Sequence, residues 1–547
     1  MSKHVLPAIC AAALIAAACA NPQPPTNTEP AGQSNTTPFD LEELTIADLQ
    51  RRLAGGQDTS RSLVDKYLAR IAALDRQGPA LASVIELNPD ARSDADRLDT
   101  ERKSGKLRGP LHGIPILIKD NIATADRMQT TAGSLALAGQ PAGKDAFIVA
   151  RLREAGVVLL GKTNLSEWAN FRDRHSTSGW SGRGGQTKNP YALDRSPSGS
   201  SSGSGTAIAA SLAAVAVGTE TDGSIVSPSS VAGLVGIKPT HGLLSRTGIV
   251  PISPSQDTPG PMTRTVADAA LLLGAMVGSD PDDASTSESA TRGLRDYSAS
   301  LDAAGLKGAR IGVVRTKLFG YSAPADRLAE AAIEDLKKQG AVVVDPANIP
   351  TLGKFEDDEL SVLTTEFGPA LKQYFGWVGS TAKVQTLEDV IAFNNNHAAE
   401  ELPYFGQDLM TISAKSAPPS SPEHQRRLVR YRRAAGPDGI EEVMKRLNLD
   451  ALIAPTGGPA WHIDLVNGDR FPGDEAAPSS VTSVAGCPQI TVPMGMYRGL
   501  PVGLSFFGRA WSEPLLIKLA YAYEQATKHR KPPTFAPTVD GQLGRRN

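Results

Sequence analysis

Serine hydroxyls are concentrated in one short segment, Ser196–Gly205, which reads Ser-Pro-Ser-Gly-Ser-Ser-Ser-Gly-Ser-Gly. After a run of small residues comes Gly218–Ile225, which reads Gly-Thr-Glu-Thr-Asp-Gly-Ser-Ile. A serine and glycine stretch is usually a flexible linker, but apolar residues at helical spacing follow at once here, so we expect a loop inside a folded core. Such a loop at a helix start offers hydroxyl groups and unhindered backbone N–H groups, which suit the binding of an anion or oxyanion.

Two well-known motifs match this segment only in part. Gly199–Gly203 satisfies the G-x-S-x-G pattern of α/β hydrolases, but that turn requires a strand directly before the serine and a histidine partner. Residues 189–198 contain two prolines and do not read as a strand, and His462, the candidate partner, is more typical of an ordinary polar residue. A phosphate-binding loop would end in Gly-Lys-Ser/Thr, which this segment lacks. Both alternatives are weaker than a loop that binds an oxyanion.

The segments around these serines alternate apolar runs with glycine-punctuated helical patterns, as βα units of an α/β sheet do. The predicted helices are 46–53, 62–74, 145–155, 203–211, 325–339 and 514–527, and the predicted strands are 157–161, 213–218, 309–314, 341–344, 450–454, 489–493 and 502–508. Residues 352–449 are more helical and charged, and we interpret them as a variable insertion that covers the sheet. No internal repeat or long linker divides residues 39–540, so a single domain is predicted.

Composition narrows the class of substrate. The 547 residues include 56 Lys and Arg against 58 Asp and Glu, and this near balance provides no broad attraction toward nucleic acid or anionic lipid. A small neutral substrate fits better than a polyanion. The 52 glycines and 40 prolines favour a loop-rich enzyme over a helical bundle.

The N-terminus predicts export. Val5–Ala18 is an apolar run too short to span a bilayer but of the right size for a secretory signal peptide, which would occupy about the first 20 residues. Cleavage could follow Ala20, or precede Cys19 as in a bacterial lipoprotein. Residues 21–38 are rich in Pro, Asn and Thr and suit a flexible tether. We therefore expect a periplasmic protein, either soluble or held at the membrane through a lipid on Cys19.

Eight short motifs are spread along the chain in a fixed series. They are Gly109–Asn121 (Gly-Pro-Leu-His-Gly-Ile-Pro-Ile-Leu-Ile-Lys-Asp-Asn), Gly161–Trp168, Ser198–Ser204, Gly218–Ile225, Gly236–Thr240, Asp257–Pro261, Gly486–Pro493 and Leu500–Leu504. In order and spacing this series resembles the amidase signature family over most of the chain, with residues 352–449 left unmatched. The resemblance implies one large α/β domain in which helices cover both sides of a mixed central sheet.

The resemblance also implies a serine hydrolase that uses no cofactor and no metal. Carried over position by position, it makes Ser224 the nucleophile, Ser200 a bridging serine held by a cis peptide, and Lys119 the base. Ser201 would have a supporting role through hydrogen bonds within the loop. The oxyanion hole would be formed by the backbone N–H groups of Thr221, Asp222, Gly223 and Ser224.

A lysine acts as a base only when it is uncharged. Neutralising a lysine with an ordinary pKa near 10.4 at pH 7 costs about 4.6 kcal/mol. Burial can offset this cost because it disfavours the ammonium, and the apolar run Ile114–Ile118 precedes Lys119. Without the motif, a lysine beside Asp120 at a strand end would be expected to reach solvent. Four other cations are expected to be surface or structural residues, namely Lys162, Lys188, Lys238 and Arg264.

Three positions differ from the commonest family pattern. Asp222 and Val226 replace a glycine and an arginine around the nucleophile, and Ser202 replaces a further glycine. With these residues the motifs are most similar to those of exported bacterial peptide amidases, which release ammonia from C-terminal peptide amides. We therefore predict a peptide amidase acting on a small amide or peptide amide. An aryl or aliphatic acylamidase is the second candidate, and a peptide-binding lipoprotein without turnover is the third.

Overall fold

A computed structural model describes residues 39–379, 382–470 and 477–539. The predicted signal peptide and tether, residues 1–38, lie outside this described part, so both stay predictions. The chain divides into a short N-terminal unit, Met1–Glu42, and a large unit, Glu43–Asn547, which contains every helix and strand named below. Within the described ranges, no helix has both the length and the apolar character needed to cross a membrane.

An 11-stranded mixed sheet forms the centre of the described molecule, and a two-stranded hairpin lies outside it. The strands are β1 (Val84–Leu87), β2 (Pro115–Lys119), β3 (Val158–Thr163), β4 (Trp180–Ser181), β5 (Gly185–Gln186), β6 (Val215–Glu220), β7 (Val235–Lys238), β8 (Thr258–Thr263), β9 (Arg310–Val313), β10 (Val342–Val344), β11 (Ala451–Pro455), β12 (Gln489–Tyr497) and β13 (Leu500–Phe507). Their order in the large sheet is β1-β3-β2-β6-β8-β7-β12-β13-β11-β9-β10. Strands β2, β3 and β6 are parallel to one another, whereas β8 is antiparallel to β6.

Helices connect and flank these strands. They are α1 (Ile46–Ala54), α2 (Ser60–Ile71), α3 (Ala91–Lys103), α4 (Phe147–Glu154), α5 (Ser202–Ala209), α6 (Val226–Val231), α7 (Val266–Met276), α8 (Ser289–Arg292), α9 (Ala323–Lys338), α10 (Glu356–Val378), α11 (Leu387–Asn396), α12 (Ala398–Glu401), α13 (Asp408–Ser413), α14 (Pro422–Ala435), α15 (Glu442–Arg446), α16 (Pro478–Ala485) and α17 (Glu513–Thr527). Side-chain caps explain where several of these helices begin. Thr45 and Thr59 form capping boxes at α1 and α2, and the Ser322 side chain accepts a bond from Ala325 N at α9.

Neighbouring strand ends bring three chain segments to one edge of the sheet. Lys119 is the last residue of β2 and Glu220 the last of β6, and these strands are parallel neighbours. Thr258, the first residue of the antiparallel strand β8, lies opposite Glu220. Both β2 and β6 are buried along their whole length, which fits their apolar sequences. Side chains at this edge are therefore held by buried, hydrogen-bonded strands.

The fold class predicted from sequence is confirmed, since helices flank a large mixed sheet in a single α/β domain. Every helix and strand predicted above has a counterpart within a few residues. Six of the described strands were not predicted, namely β1, β2, β4, β5, β7 and β8. For β8 the reason is that prolines lack the N–H that a ladder needs. Pro259 and Pro261 fit there because β7 pairs only with Met262 and Thr263, beyond both prolines.

Residues 352–449 are helical as predicted, but the interpretation that they merely cover the sheet is incomplete. Phe367 and Leu371 of α10 share a hydrophobic cluster with Trp168 and Val250 beside the serine-rich region. A second cluster joins Tyr431 of α14 and residues of α15 to strands β11 and β13. This region therefore contributes to the core. Its variability among relatives stays a prediction.

Candidate active site

Lys119 is fully buried at the end of β2. Its Nζ lies 2.8 Å from Ser200 Oγ, 2.9 Å from Thr219 Oγ1 and 3.2 Å from Thr219 O. The alternative that this side chain reaches solvent is therefore wrong. The structure brings the predicted base and the predicted bridging serine into direct hydrogen-bond contact.

Burial also determines the protonation of this amine. Desolvation lowers the pKa of Lys119 from 10.5 to about 7, although the nearby carboxyls of Glu220 and Asp257 act in the opposite direction. A large fraction of the amine is thus neutral at pH 7. A neutral amine has two N–H donors and one lone pair. Because both Thr219 oxygens can accept those N–H groups, the lone pair is left for the Ser200 hydroxyl proton.

Thr219 is a contact that the sequence analysis did not single out, and it yields a prediction. Its hydroxyl also accepts a bond from Asn121 Nδ2, at 3.0 Å. Thr219→Val is expected to lower kcat about tenfold, because two buried donors lose their acceptor and the amine is held less well. Thr219→Ser, which keeps the hydroxyl, should stay close to the parent. Initial rates of amide hydrolysis check this, with thermal unfolding to establish folding; equal loss in both variants would contradict the role of the hydroxyl.

The serine-rich loop reaches two other elements of the site. Ser200 is fully buried, the Gly199–Ser200 peptide is cis, and Ser200 O accepts a hydrogen bond from Ser166 N at 3.1 Å. Ser201 Oγ donates to Thr219 O at 3.1 Å and accepts from Thr219 N at 3.2 Å. Ser201 therefore joins the loop to β6, whereas sequence reasoning expected hydrogen bonds within the loop.

Ser224 follows β6 in a tight turn. Ser201 N donates to Ser224 O at 3.2 Å, so the two serine segments are joined next to Ser200. Ser224 is 8% exposed, whereas Lys119 and Ser200 are 0% exposed. This order of burial is what a relay from an accessible hydroxyl to an interior base requires.

The backbone of that turn is available to bind an oxyanion. Gly223 has a φ of +77°, a conformation that favours glycine. Among the described residues, none supplies an acceptor to the backbone N–H groups of Asp222, Gly223 or Ser224. The next two N–H groups, of Ile225 and Val226, are instead held by Glu220 Oε2 at 2.7 Å and 3.0 Å. Free N–H groups beside the predicted nucleophile are the arrangement that stabilises a tetrahedral oxyanion.

A cavity of about 470 Å³ reaches Thr221, next in sequence to these groups, although Lys119, Ser200 and Ser224 are not among its lining residues. One side is formed by Thr219–Thr221 and Asp257, whose carboxyl accepts bonds from Thr221 Oγ1, Ile252 N and Ser253 N. Burial raises the pKa of Asp257 to about 6. The other walls combine apolar residues, from Gly248–Ile252 and from Ala370, Tyr374 and Trp377 of α10, with the charged Arg246, Asp282 and Asp283. The Asp257 motif was visible in the sequence, whereas the contribution of α10 carried no recognisable signal.

The remaining candidates lie elsewhere. His462 is exposed, with Nδ1 3.6 Å from Asp194 Oδ2, and lines a separate cavity of about 610 Å³ that shares no lining residue with the first. Each of four cations donates to backbone carbonyls, as expected of structural residues: Lys162, Lys188, Lys238 and Arg264. Lys162, Lys238 and Arg264 are buried rather than at the surface.

A model of the family named Amidase matches residues 62–517 of this chain. The chain belongs to the amidase family. This amidase is 42% identical to a protein of Arabidopsis thaliana described as a probable amidase, over 91% of the chain and 92% of that protein. It is also similar to the solved structure of the native peptide amidase from Stenotrophomonas maltophilia, with 53% identity, a TM-score of 0.87, and coverage of 91% of this chain and 100% of that one.

A further solved structure holds the peptide amidase PAM in complex with the competitive inhibitor chymostatin. This amidase is 52% identical to it, with a TM-score of 0.87, over 90% of this chain and 99% of that chain. Family and neighbours together establish the chain as an enzyme that hydrolyses amides. The α/β-hydrolase interpretation of Gly199–Gly203 is not supported, since the segment lies within the region that matches the amidase family and no strand directly precedes it.

Proposed function

We propose that this amidase is a serine peptide amidase that releases ammonia from C-terminal peptide amides through Ser224, Ser200 and Lys119. The observation that carries the proposal is the buried Lys119 amine, 2.8 Å from Ser200 Oγ and with a pKa lowered to about 7. A perturbed base in contact with a hydroxyl is the pairing that activates a serine nucleophile.

The proposed reaction runs through an acyl-enzyme. Ser224 Oγ attacks the carboxamide carbon while its proton passes to Ser200 Oγ, and the Ser200 proton passes to Lys119 Nζ. The oxyanion is stabilised by the backbone N–H groups at residues 221–224. The C–N bond breaks as the proton returns through Ser200 to the leaving nitrogen, and ammonia departs. Water then attacks the ester by the same proton route and releases the acid and Ser224.

Two observations support a peptide amide as the substrate. The cavity volume falls within the roughly 300–1,000 Å³ typical of small-ligand sites, and its apolar walls suit an amino-acid side chain. Two solved peptide amidase structures, one with the inhibitor chymostatin, are more than half identical to this chain. An exported enzyme of this kind would meet small peptides rather than a charged tRNA.

A substrate panel tests the proposal. We expect ammonia release from C-terminally amidated dipeptides with kcat/KM at least about tenfold above that for simple aliphatic amides and for anilides, because only the peptides fill the apolar cavity. Dipeptides with a free C-terminal carboxylate serve as the control and should release nothing. Equal or faster turnover of the aliphatic amides or anilides would favour the acylamidase alternative.

Labelling of the serine tests the alternative that the protein binds peptides but does not hydrolyse them. A fluorophosphonate should modify the parent enzyme at Ser224, because the reagent requires an activated hydroxyl. A protein that binds peptides without hydrolysing them would stay unlabelled under conditions in which a standard serine hydrolase reacts fully.

We also propose that the amidase is exported, that it reaches the periplasm, and that a lipid on Cys19 anchors it to the membrane. Fractionation of cells expressing the full chain and its Cys19→Ala variant tests this. Release of the variant, but not of the parent, from the membrane fraction would support the anchor, whereas recovery of both in the cytosol would contradict export.

A further inference from the structure

Three charged side chains form a fully buried cluster outside the relay. Glu167, Arg172 and Glu401 are each 0% exposed at the side chain. Arg172 Nη1 donates to Glu167 Oε1 and to Glu401 O, both at 2.6 Å, and lies 3.8 Å from Glu401 Oε2. Two carboxyls thus share a single guanidinium at a position closed to bulk solvent. Burying such a set is unfavourable unless its charges balance.

The two carboxyls meet above Gly182. Glu167 Oε2 accepts from Gly182 N at 2.6 Å, and a Cβ on Gly182 would lie 2.7 Å from Glu401 Oε2 and 3.1 Å from Glu167 Oε2. Within the described residues, Glu401 Oε2 receives no N–H or hydroxyl donor. Burial raises the pKa of Glu167 to about 8; Glu401 acts in the same direction and Arg172 in the opposite one. A proton held between the carboxyls would give Glu401 Oε2 a hydrogen-bond donor and would leave the cluster neutral.

This cluster is directly connected to the bridging serine. Ser166, the residue before Glu167, donates its N–H to Ser200 O at 3.1 Å. Its hydroxyl accepts a bond from Gly179 N at 2.9 Å. A shift of Glu167 would therefore move the group that holds the Ser200 backbone.

The cluster is also connected to the helical region at 352–449. Glu401 ends α12, and its Oε1 accepts from Leu135 N at 2.6 Å and from Ser134 Oγ at 3.2 Å. Phe405, four residues further on, places its ring 4.1 Å from the Arg172 guanidinium. These contacts fasten α12 and the chain after it to Ser134, Leu135 and Arg172.

We propose that Glu167, Arg172 and Glu401 form a clamp through which the 352–449 region positions Ser200, and that this clamp holds one proton between its two carboxyls. The residues of the clamp are positioning residues, since they act through Ser166 and Ser200. The proposal rests on the function proposed above for Ser200. It predicts that kcat, rather than KM, depends on an intact and protonated clamp.

The pH dependence follows from the charges that face Glu167, which are those of Arg172 and Glu401. Glu167 has a raised pKa, so the neutral clamp is present below about pH 8 and is lost as pH rises through that value. We expect the kcat of the parent enzyme to fall reversibly above about pH 8. Glu401→Gln leaves one carboxyl against one guanidinium with no proton to lose, and its kcat should not fall there.

Breaking the clamp gives the second measurement. Glu401→Ala is expected to lower kcat by about 10²-fold with KM changed less than about threefold, because a displacement of roughly 1 Å at a reacting group has an effect of that size. The rate of fluorophosphonate labelling at Ser224 should fall in parallel. Glu400→Gln, at the exposed neighbouring position, is the matched control and should behave as the parent.

The outcomes separate the two proposals. A parent enzyme that is not labelled at Ser224 overturns the proposed function itself. If the parent is labelled but Glu401→Ala keeps the parent kcat, or if Glu401→Gln loses activity above pH 8 as steeply as the parent, the clamp is overturned alone. Absence of any fall in the parent between pH 7.5 and about 9 overturns the shared proton. Should Glu401→Ala not fold, the pH profile of Glu401→Gln decides.

Discussion

Ser224→Ala is expected to lower kcat by at least about 10⁴-fold, the largest effect of any single change in this chain. The substitution removes the oxygen proposed to attack the carboxamide, and the proposed oxyanion hole alone should retain only a small residual rate. The side chain is 8% exposed and loses few contacts on truncation, so folding should be preserved. Ammonia release from an amidated dipeptide measures the rate, and thermal unfolding measures the stability.

A matched substitution three residues further on controls for damage to the turn. Ser227 lies at the start of α6, and its hydroxyl is 2.8 Å from Ser198 Oγ. Ser227→Ala should keep more than about a tenth of the parent kcat, because it removes one neutral hydrogen bond. If Ser227→Ala lost as much activity as Ser224→Ala, the turn rather than the nucleophile would be the sensitive feature.

Lys119→Met is expected to lower kcat by about 10³-fold to 10⁴-fold, in line with the loss of a positioned general base. Methionine fills similar space but offers no lone pair to Ser200. In the parent enzyme, kcat should rise as pH increases through about 7, because the amine is neutral above its lowered pKa. The residual activity of the variant should lack that rise. Persistence of the same pH dependence in Lys119→Met would exclude this lysine as the titrating base.

Lys119→Met should also change how the free energy of unfolding depends on pH. In the unfolded chain Lys119 keeps its proton up to about pH 10.5, whereas the folded protein releases it above about 7. The parent therefore gains free energy of unfolding relative to Lys119→Met as pH rises from 7 to about 10.5, by a total of about 5 kcal/mol. Below pH 7 the difference should be flat. Denaturant titrations at several pH values measure it.

His462→Ala distinguishes a serine hydrolase whose base is Lys119 from one whose base is His462. His462 is exposed and lines the other cavity, so its replacement should leave kcat within about twofold of the parent. A collapse of activity in His462→Ala together with survival of Lys119→Met would reverse the assignment of the base.

Much of this site could be predicted because its chemistry lies in short, contiguous motifs. Lys119, Ser200 and Ser224 each lie in a segment whose sequence is unusual in itself, and regular strands carry two of them to one edge. Their roles remain proposals that the variants above test. Six helices were predicted for a similar reason, since amphipathic periodicity is a local signal, whereas α3, α6, α7, α8 and α16 were not predicted.

The residues that sequence reasoning missed act through contacts distant along the chain. Thr219 was inside a recognised motif, yet its two bonds to Lys119 depend on the pairing of β2 with β6, 100 residues apart. Nothing in the sequence around Tyr374 and Trp377 indicates that α10 lines the cavity. Glu167 and Glu401 are ordinary glutamates until the fold buries both against one arginine. Tertiary burial, not local pattern, determines such roles.

Because α10 and α12 contribute to the active-site region, the segment that contains them cannot be exchanged freely between related amidases. The region 352–449 lines the cavity through Trp377, which would make it a natural segment to transplant between relatives in order to alter substrate preference. Yet Glu401 lies within the same segment and belongs to the clamp proposed to position Ser200. A chimaera that imported new cavity walls without a carboxylate at that position would therefore inherit altered selectivity together with an impaired rate.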